Sequence, residues 1–181
     1  ITRKEIEKRI VELGFPESKL TKFDERQPGF FASMTKGRDE YFNYAQLAIL
    51  EAAEKKNVVI IGRGAFAVFE NVPNHIAVRL IADEKTRISR LRNEFNWDEK
   101  KALQRIQESD ENRAGYHRSF YNVDINDASL YHAVLNTGKI SLDNCAKIIS
   151  DIVETKVTVK QEEDGNLMIE QLLKAQSIVN K

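Results

Sequence analysis

Residues 57–69 read NVVIIGRGAFAVF, and this is the most informative stretch of the chain. Four apolar β-branched residues at positions 58–61 run directly into Gly62-Arg63-Gly64. A short apolar run that ends at glycine predicts a strand covered on both faces, as in parallel sheets between helices. Ligands of such sheets bind beyond the carboxyl ends of the strands, where glycine permits close backbone approach and arginine offers a planar fork for phosphate or carboxylate. The tripeptide alone supports a tight turn with a surface arginine equally well.

Predicted strands and helices alternate along the chain on both sides of this stretch. Apolar patterning predicts strands at 57–61, 75–82 and 131–136. This alternation indicates an α/β fold, and we expect a three-layer parallel sheet flanked by helices. Three strands form a small sheet, so we expect the sheet to be incomplete at its N-terminal side. Helices are predicted at 2–14, 16–23, 38–56, 64–70, 84–95, 96–113, 141–154 and 166–181, with loops at 27–37 and 115–129.

Composition excludes several classes of protein. Lys plus Arg and Asp plus Glu both number 28, so the net charge is zero, which argues against a nucleic-acid-coating or membrane-surface protein. No apolar run approaches the roughly 20 residues that cross a bilayer. A single cysteine, Cys145, predicts a reducing compartment, and we expect a cytoplasmic protein in which this thiol packs in the core. Cys145 and the three histidines show no metal-ligand spacing.

The chain divides into two predicted regions. Residues 1–154 are expected to form one domain, with 1–56 as a helical region and 57–154 as the sheet core. Residues 155–181 are expected to form an extension with an amphipathic helix at 166–181. Three roles remain open for this helix: docking on the domain, pairing with a second copy of the chain, or leading into a further domain. Because the chain starts at Ile1 and a helix opens at once, we expect a longer protein from which this chain is cut.

A second group of charged residues lies at the end of the helix predicted at 96–113. Asp110 and Arg113 close this helix, and His117 and Arg118 follow in a segment expected to be mobile. Phosphoryl transfer needs cations that orient phosphates and neutralise transition-state charge, and arginines on a closing segment suit that task. A solvated helix end, where cations favour the dipole, is the alternative for Arg113 and Arg118.

Arginine also occurs on the helix that follows the second predicted strand. For Arg87 and Arg90 we favour ordinary surface ion pairs with Glu84 or Glu94 over a functional role.

The phosphate-loop motif G-x-x-x-x-G-K-[ST] does not occur in the 181-residue sequence. The most similar stretch runs from Ala133 to Ile140, AVLNTGKI. Ala133 stands where the first glycine of the motif belongs, and Ile140 replaces the hydroxyl residue that binds the metal. We therefore interpret this stretch as a turn between a strand and a helix.

Three stretches, in their order and spacing, resemble the cytidylate kinase-like family of P-loop nucleoside monophosphate kinases. The resemblance covers residues 1–153. The most specific pieces are the I-G-R-G turn, the step L-I-A-D-E-K-T-R, the D-x-x-R pattern and the strand L-Y-x-x-x-L-N-T. The stretches read NVVIIGRGAFAVFENVPNHIAVRLIADEKTRISRL, ESDENRAGYHRSFY and DASLYHAVLNTGKISLDNCAKII.

On the acceptor side, the resemblance implies that Arg63, between Gly62 and Gly64, holds the phosphate of the acceptor nucleotide. Residues 1–56 would cover that nucleotide. Gly64 stands where cytidylate kinases proper carry an aspartate that contacts the sugar, whereas the kinase-like branch shows the G-R-G pattern.

On the donor side, the resemblance implies that Arg113 and Arg118 belong to a lid over the triphosphate and the transferring phosphoryl group. Asp110 would order that lid. ATP and Mg²⁺ are the implied cofactors, held by a phosphate loop expected to precede Ile1. The intact protein is therefore expected to transfer phosphate from ATP to CMP or a similar acceptor, and this chain alone is expected to be inactive. The alternative is a non-catalytic nucleotide sensor that signals through the region after residue 154.

Overall fold

The computed structural model describes residues 1–20, 23 and 37–179. These residues form two compact units, one of Ile1–His75 with Val157–Lys181 and the other of Ile76–Lys156. Whether the predicted domain boundaries have functional meaning stays a prediction. The elements, in chain order, are α1 (Arg3–Glu12), α2 (Glu17–Leu20), α3 (Arg38–Glu54), α4 (Ala65–Val68), β1 (Val78–Ile81), α5 (Glu84–Phe95), α6 (Glu99–Tyr121), a 3₁₀ turn (Ala128–Leu130), β2 (Ala133–Asn136), α7 (Leu142–Lys156) and α8 (Val159–Val179).

The first unit begins with the helix predicted at 2–14, whose first turn is held by Glu5. The Glu5 carboxylate accepts hydrogen bonds from the backbone N–H and the hydroxyl of Thr2, at 2.7 and 2.8 Å. These hydrogen bonds lower the pKa of Glu5. Ile6 and Ile10 are buried on the face of α1 that packs against α3. Local capping and apolar spacing thus position α1 as predicted.

Aromatic rings join the residues after α1 to α3. Phe15 lies edge-on to Phe23 and Tyr41, with centroids 5.9 and 5.6 Å apart. Phe23 stacks on Tyr41 at 4.5 Å. All three rings are buried, so this aromatic cluster fixes the N-terminal half of the unit. The loop predicted at 27–37 and the end of the helix predicted at 16–23 fall largely outside the described residues.

The C-terminal helix α8 packs against α3 within this unit. Its contact side buries Gly165 and Ile169. Gln176 Nε2 donates to the carbonyl of Asn43 on α3 at 3.3 Å, and Asn74 Nδ2 donates to Asn166 Oδ1 at 3.3 Å. The helix begins at Val159, seven residues before the predicted 166. Of the three roles left open, docking on the chain's own fold is therefore present.

The structure has no strand at residues 57–61, so the strand predicted there is wrong. Residues 58–61 are assigned to no strand, and the side chains of Val59 and Ile61 are 76% and 62% exposed. The segment does meet Ile1, whose terminal ammonium donates to the Val59 carbonyl and whose own carbonyl accepts from Ile61 N–H. An apolar run predicts burial only where a partner strand and covering helices are available, and no such partner pairs with this segment among the described residues.

The second unit contains a two-stranded parallel sheet. β1 pairs with β2 in the register Val78 to Ala133 and Ile81 to Asn136. Both strands lie inside predicted ones, so the parallel α/β character is confirmed, whereas the described residues contain two strands and not a three-layer sheet. Leu135 is buried, while Leu80 beside it is 57% exposed, because β1 has its partner on one side only in the part of the chain described.

Helices α5 and α6 pack against each other in this unit. Helix α6 begins three residues after the predicted 96, and Asp98 caps it by accepting from Lys101 N–H at 2.7 Å. Asn96 instead ends α5 with a left-handed φ of 53°. The predicted loop from 115 is also wrong, since α6 continues to Tyr121.

Helix α7 follows β2 as predicted. Ser141 Oγ accepts from Asn144 N–H at 3.3 Å at its start. Cys145 is a buried free thiol, as expected for a core residue.

Candidate functional site

The turn at residues 62–64 has an unusual backbone. Gly62, Arg63 and Gly64 have φ angles of 82°, 54° and 73°, three left-handed residues in succession. For the glycines this conformation is permitted, but for arginine it costs on the order of 1 kcal/mol or more. Gly64 also precedes α4 as its N-cap residue. The strain falls on the one residue of the turn that carries a functional group, which is typical of functional sites.

The Arg63 side chain is almost completely enclosed. It is 1% exposed, and its guanidinium donates to a carboxylate oxygen of Glu7 on α1. A second nitrogen, Nη1, donates to the Phe23 carbonyl at 3.4 Å. The turn therefore presents its arginine to the interior of the first unit, where charge is weakly screened. The surface arginine considered as the simpler interpretation is excluded by this burial.

Glu7 is shared between two arginines. Its Oε1 accepts from Arg3 Nε at 2.6 Å, and the same oxygen accepts from Arg63. The side chains of Arg3 and Glu7 are each 18% exposed. Neither residue was predicted as part of a site, and no local signal could reveal them, because Glu7 and Arg63 are 56 residues apart.

The second set of predicted residues lies together on α6 in the second unit. Asp110 accepts two hydrogen bonds from Arg87, at 2.6 and 2.7 Å, and one from Arg113 at 3.2 Å. Partial burial would raise the pKa of Asp110, but the hydrogen bonds and charge of Arg87, with Arg113, lower it below the usual value. Arg113 also donates to Ser109 Oγ. The structure thus brings Asp110 and Arg113 together and adds Arg87, which the sequence interpretation had set aside.

Arg118 does not join this cluster. Arg118 lies five residues beyond Arg113 on the same helix, which is about 140° around its axis. Its side chain is exposed, and no ion pair with it occurs among the residues described. His117 between them is buried, and its Nδ1 bonds to the Arg113 carbonyl at 2.7 Å. The mobile segment expected to carry Arg118 is a regular helix here.

Arg90 binds the turn that follows β2. Its two terminal nitrogens donate to the hydroxyl and the carbonyl of Thr137, at 2.9 and 2.7 Å. The expected pairing with Glu84 or Glu94 is therefore wrong for Arg90, as it is for Arg87. Gly138 in this turn has no room for a side chain, since an added Cβ would lie 2.9 Å from Asp83 Oδ2. The interpretation of 133–140 as a strand-to-helix turn agrees with this packing.

Two further features bear on ligands. A cavity of about 670 Å³ lies along α5 and the start of α6, lined by Ile88, Arg92 and Trp97 among others, and no predicted site residue lines it. Among the described residues, no group of three His, Cys, Asp or Glu lies together to hold a metal ion. Within the same residues, no helix has the length and apolar character needed to cross a bilayer.

The chain, with its buried arginine between glycines and its D-x-x-R cluster on a later helix, also matches a protein-family model. The model of the cytidylate kinase-like family matches residues 1–139. The chain belongs to this family. Helix α7 and the α8 helix that packs on α3 lie beyond the matched residues.

Individual relatives support the same assignment. The chain is 26% identical over 126 residues to a cytidylate kinase of Methanocaldococcus jannaschii, covering 68% of this chain and 69% of the relative. It is 29% identical to cytidylate kinases of Pyrobaculum islandicum and Pyrococcus horikoshii, over 61% and 58% of this chain and 60% and 54% of theirs. The chain thus spans between about half and two thirds of these relatives.

A solved structure shares the fold. The crystal structure of an uncharacterized protein from Eubacterium ventriosum superposes with a TM-score of 0.67 at 24% identity, covering 86% of this chain and 83% of that one. The predicted resemblance to the family is confirmed by these comparisons. The predicted roles of Gly62, Arg63, Gly64, Asp110, Arg113 and Arg118 stay predictions.

Proposed function

We propose that the intact protein is a nucleoside monophosphate kinase that transfers a phosphoryl group from ATP, with Mg²⁺, to CMP or a similar acceptor. The observation that carries this proposal is the buried, left-handed Arg63 in a member of the cytidylate kinase-like family. A guanidinium fixed between two flexible residues suits bidentate binding of a phosphate. The left-handed backbone at this residue is consistent with a ligand-binding role.

The roles on α6 follow from their geometry. Arg113 is half-exposed and oriented by Asp110, so its guanidinium is available to phosphate oxygens while its position is restrained. Arg87 fixes Asp110 with two short hydrogen bonds and is proposed as the residue that orients this pair. Arg118, exposed on another part of the helix, would contribute to the lid only if α6 moves or bends on nucleotide binding.

Steady-state kinetics of the intact protein test the proposal. With ATP and a panel of nucleoside monophosphates, we expect turnover on CMP or a related acceptor. Arg63→Ala should raise KM for the acceptor, because it removes a phosphate contact, whereas Arg113→Ala should mainly lower kcat. Arg105→Ala is the matched control, since Arg105 lies on α6 and pairs only weakly with Glu108, at 3.8 Å. It should leave both constants unchanged.

A non-catalytic nucleotide sensor is the alternative. A sensor would need a C-terminal helix able to reach a partner, whereas α8 packs on α3 of the same chain. Nucleotide binding by the intact, folded protein without turnover on any acceptor of the panel would favour the sensor. Wild-type kinetics in both arginine variants would reject the assigned roles.

A further inference from the structure

We propose that Glu7 competes with the phosphate of the acceptor for Arg63, and so sets the affinity of the site for anions. This inference rests on the proposed function, because it concerns the same arginine. It adds a residue outside the sequence motif. The ligand class is a phosphate monoester, recognised by the guanidinium that Glu7 holds in the structure described here.

The first step is that Arg63 cannot take up a phosphate while its present contacts persist. Its side chain is 1% exposed, and one terminal nitrogen donates to Glu7 while the other donates to the Phe23 carbonyl. A phosphate brought to this guanidinium would meet the Glu7 carboxylate at short range. Two anions on one cation in a weakly screened site repel each other, so the acceptor must displace Glu7.

The second step is that Glu7 has a second partner to which it can turn. Arg3, one helical turn earlier on α1, donates from Nε to the same carboxylate oxygen at 2.6 Å. Breaking a buried ion pair is costly when it leaves a charge uncompensated. Because Glu7 keeps Arg3, and Arg63 gains a phosphate, the exchange leaves neither charge without a partner.

The third step is that the exchange is confined to side chains. Helix α1 is fixed on α3 by Ile6 and Ile10 and by Arg9, which donates to both carboxylate oxygens of Glu51, at 2.6 and 3.0 Å. The backbone that carries Glu7 is therefore held in place. A rotation of the Glu7 side chain towards Arg3 would release the Arg63 nitrogen that now donates to Glu7.

The proposal predicts opposite effects for two substitutions. Glu7→Gln keeps the size of the side chain but removes the competing charge, so inorganic phosphate and CMP should bind about tenfold more tightly or better. Arg3→Gln removes the alternative partner of Glu7, so both anions should bind more weakly. Were Glu7 only a structural support for Arg63, Glu7→Gln would weaken anion binding instead.

Isothermal titration calorimetry on the intact protein tests this, with inorganic phosphate, CMP and cytidine as the titrants. Glu12→Gln is the matched control: Glu12 lies on α1, pairs with Lys8 and Arg9, and its loss changes the net charge equally. Glu12→Gln should leave all affinities unchanged, and Glu7→Gln should not alter cytidine binding. Adding Arg63→Ala to Glu7→Gln should remove the gain.

The outcomes separate the two proposals. Unchanged or weaker phosphate binding in Glu7→Gln overturns the competition, even where the wild type phosphorylates CMP. Tighter phosphate binding in Glu7→Gln without any preference for CMP supports the competition and rejects CMP as the acceptor. If Glu7→Gln fails to fold, as judged by circular dichroism, Arg3→Gln decides, and an unchanged phosphate affinity there overturns the proposal.

Discussion

Replacing Gly165 with alanine should loosen the C-terminal helix, although alanine is the better helix former. Gly165 is the seventh residue of α8, and it is buried. In a helix interior, glycine to alanine gains about 1 kcal/mol. Here, however, the added Cβ would overlap Oδ1 and Cγ of Asn74 and lie 2.9 Å from its Nδ2. The close approach of α8 to residue 74 therefore depends on the missing side chain.

The magnitude follows from opposing terms. Overpacking of this kind costs roughly 1–3 kcal/mol. Displacing Asn74 also weakens its 3.3 Å hydrogen bond to Asn166, a contribution of about 0.5–1.5 kcal/mol. After subtracting the helix-propensity gain, Gly165→Ala should destabilise the packing of α8 by about 0.5–3.5 kcal/mol.

The matched background is Asn74→Ala, which removes the three overlapping atoms. In that background Gly165→Ala should stabilise the helix by about 1 kcal/mol, because only the propensity term remains. Hydrogen exchange of the α8 amides measures the local opening free energy in all four proteins of the cycle. The reasoning is refuted if Gly165→Ala slows exchange equally in both backgrounds, since α8 would then not touch Asn74.

Three other predictions concern stability. Ile10→Ala, at a fully buried position, should lower the free energy of unfolding by about 2–5 kcal/mol, whereas Val59→Thr, where the side chain is 76% exposed, should lower it by less than about 0.5 kcal/mol. Urea unfolding measures both, and equal losses would contradict the exposure of Val59. Burial, reinforced by the charge of Lys156, lowers the pKa of His132, so the stability that neutral His132 contributes is present above its unfolded pKa and lost as pH falls through the folded pKa. His132→Asn should therefore flatten the decline of the urea midpoint between about pH 7 and 5. An unchanged dependence of the urea midpoint on pH would exclude this histidine as the cause. Asp110→Asn should change stability by no more than about 1 kcal/mol, because the ion pair is partly exposed, yet it should lower kcat of the intact protein. A large drop in thermal stability with an unchanged kcat would instead assign Asp110 a structural role.

Elements specified by near neighbours were predictable from the sequence. The cap at Thr2 and Glu5, the long helix α3 and the strands β1 and β2 each depend on spacing within a few residues. The end of α6 shows how this fails. Residues 115–119 are mostly polar, yet Tyr116, His117 and Phe120 continue the buried face of the helix. The apolar periodicity of the whole helix would have predicted that α6 continues through these residues, whereas their local polarity predicted a loop.

The error at 58–61 has a different cause. The run VVII has the composition of a buried strand, but a strand exists only through hydrogen bonds to a neighbour. In the part of the chain described, Val59 and Ile61 bond only to Ile1. Similarly, α8 extends through Gly165 because close packing on Asn74 outweighs the intrinsic cost of glycine in a helix. Both outcomes depend on contacts that no window of sequence contains.

The same distinction governs the site. Two glycines around Arg63 predicted a tight turn, and the left-handed backbone at all three residues forms one. The approach of a ligand to this turn stays a prediction. Whether the arginine faces a phosphate or a carboxylate is decided by Glu7, 56 residues earlier in the chain. The carboxylate stabilises the buried cation without ligand, and the same charge opposes any anion that comes to bind. The anion affinity of this turn is therefore set by how much more strongly the Arg63 guanidinium binds an anion than it binds Glu7. For this reason Glu7→Gln and Arg3→Gln must shift that affinity in opposite directions.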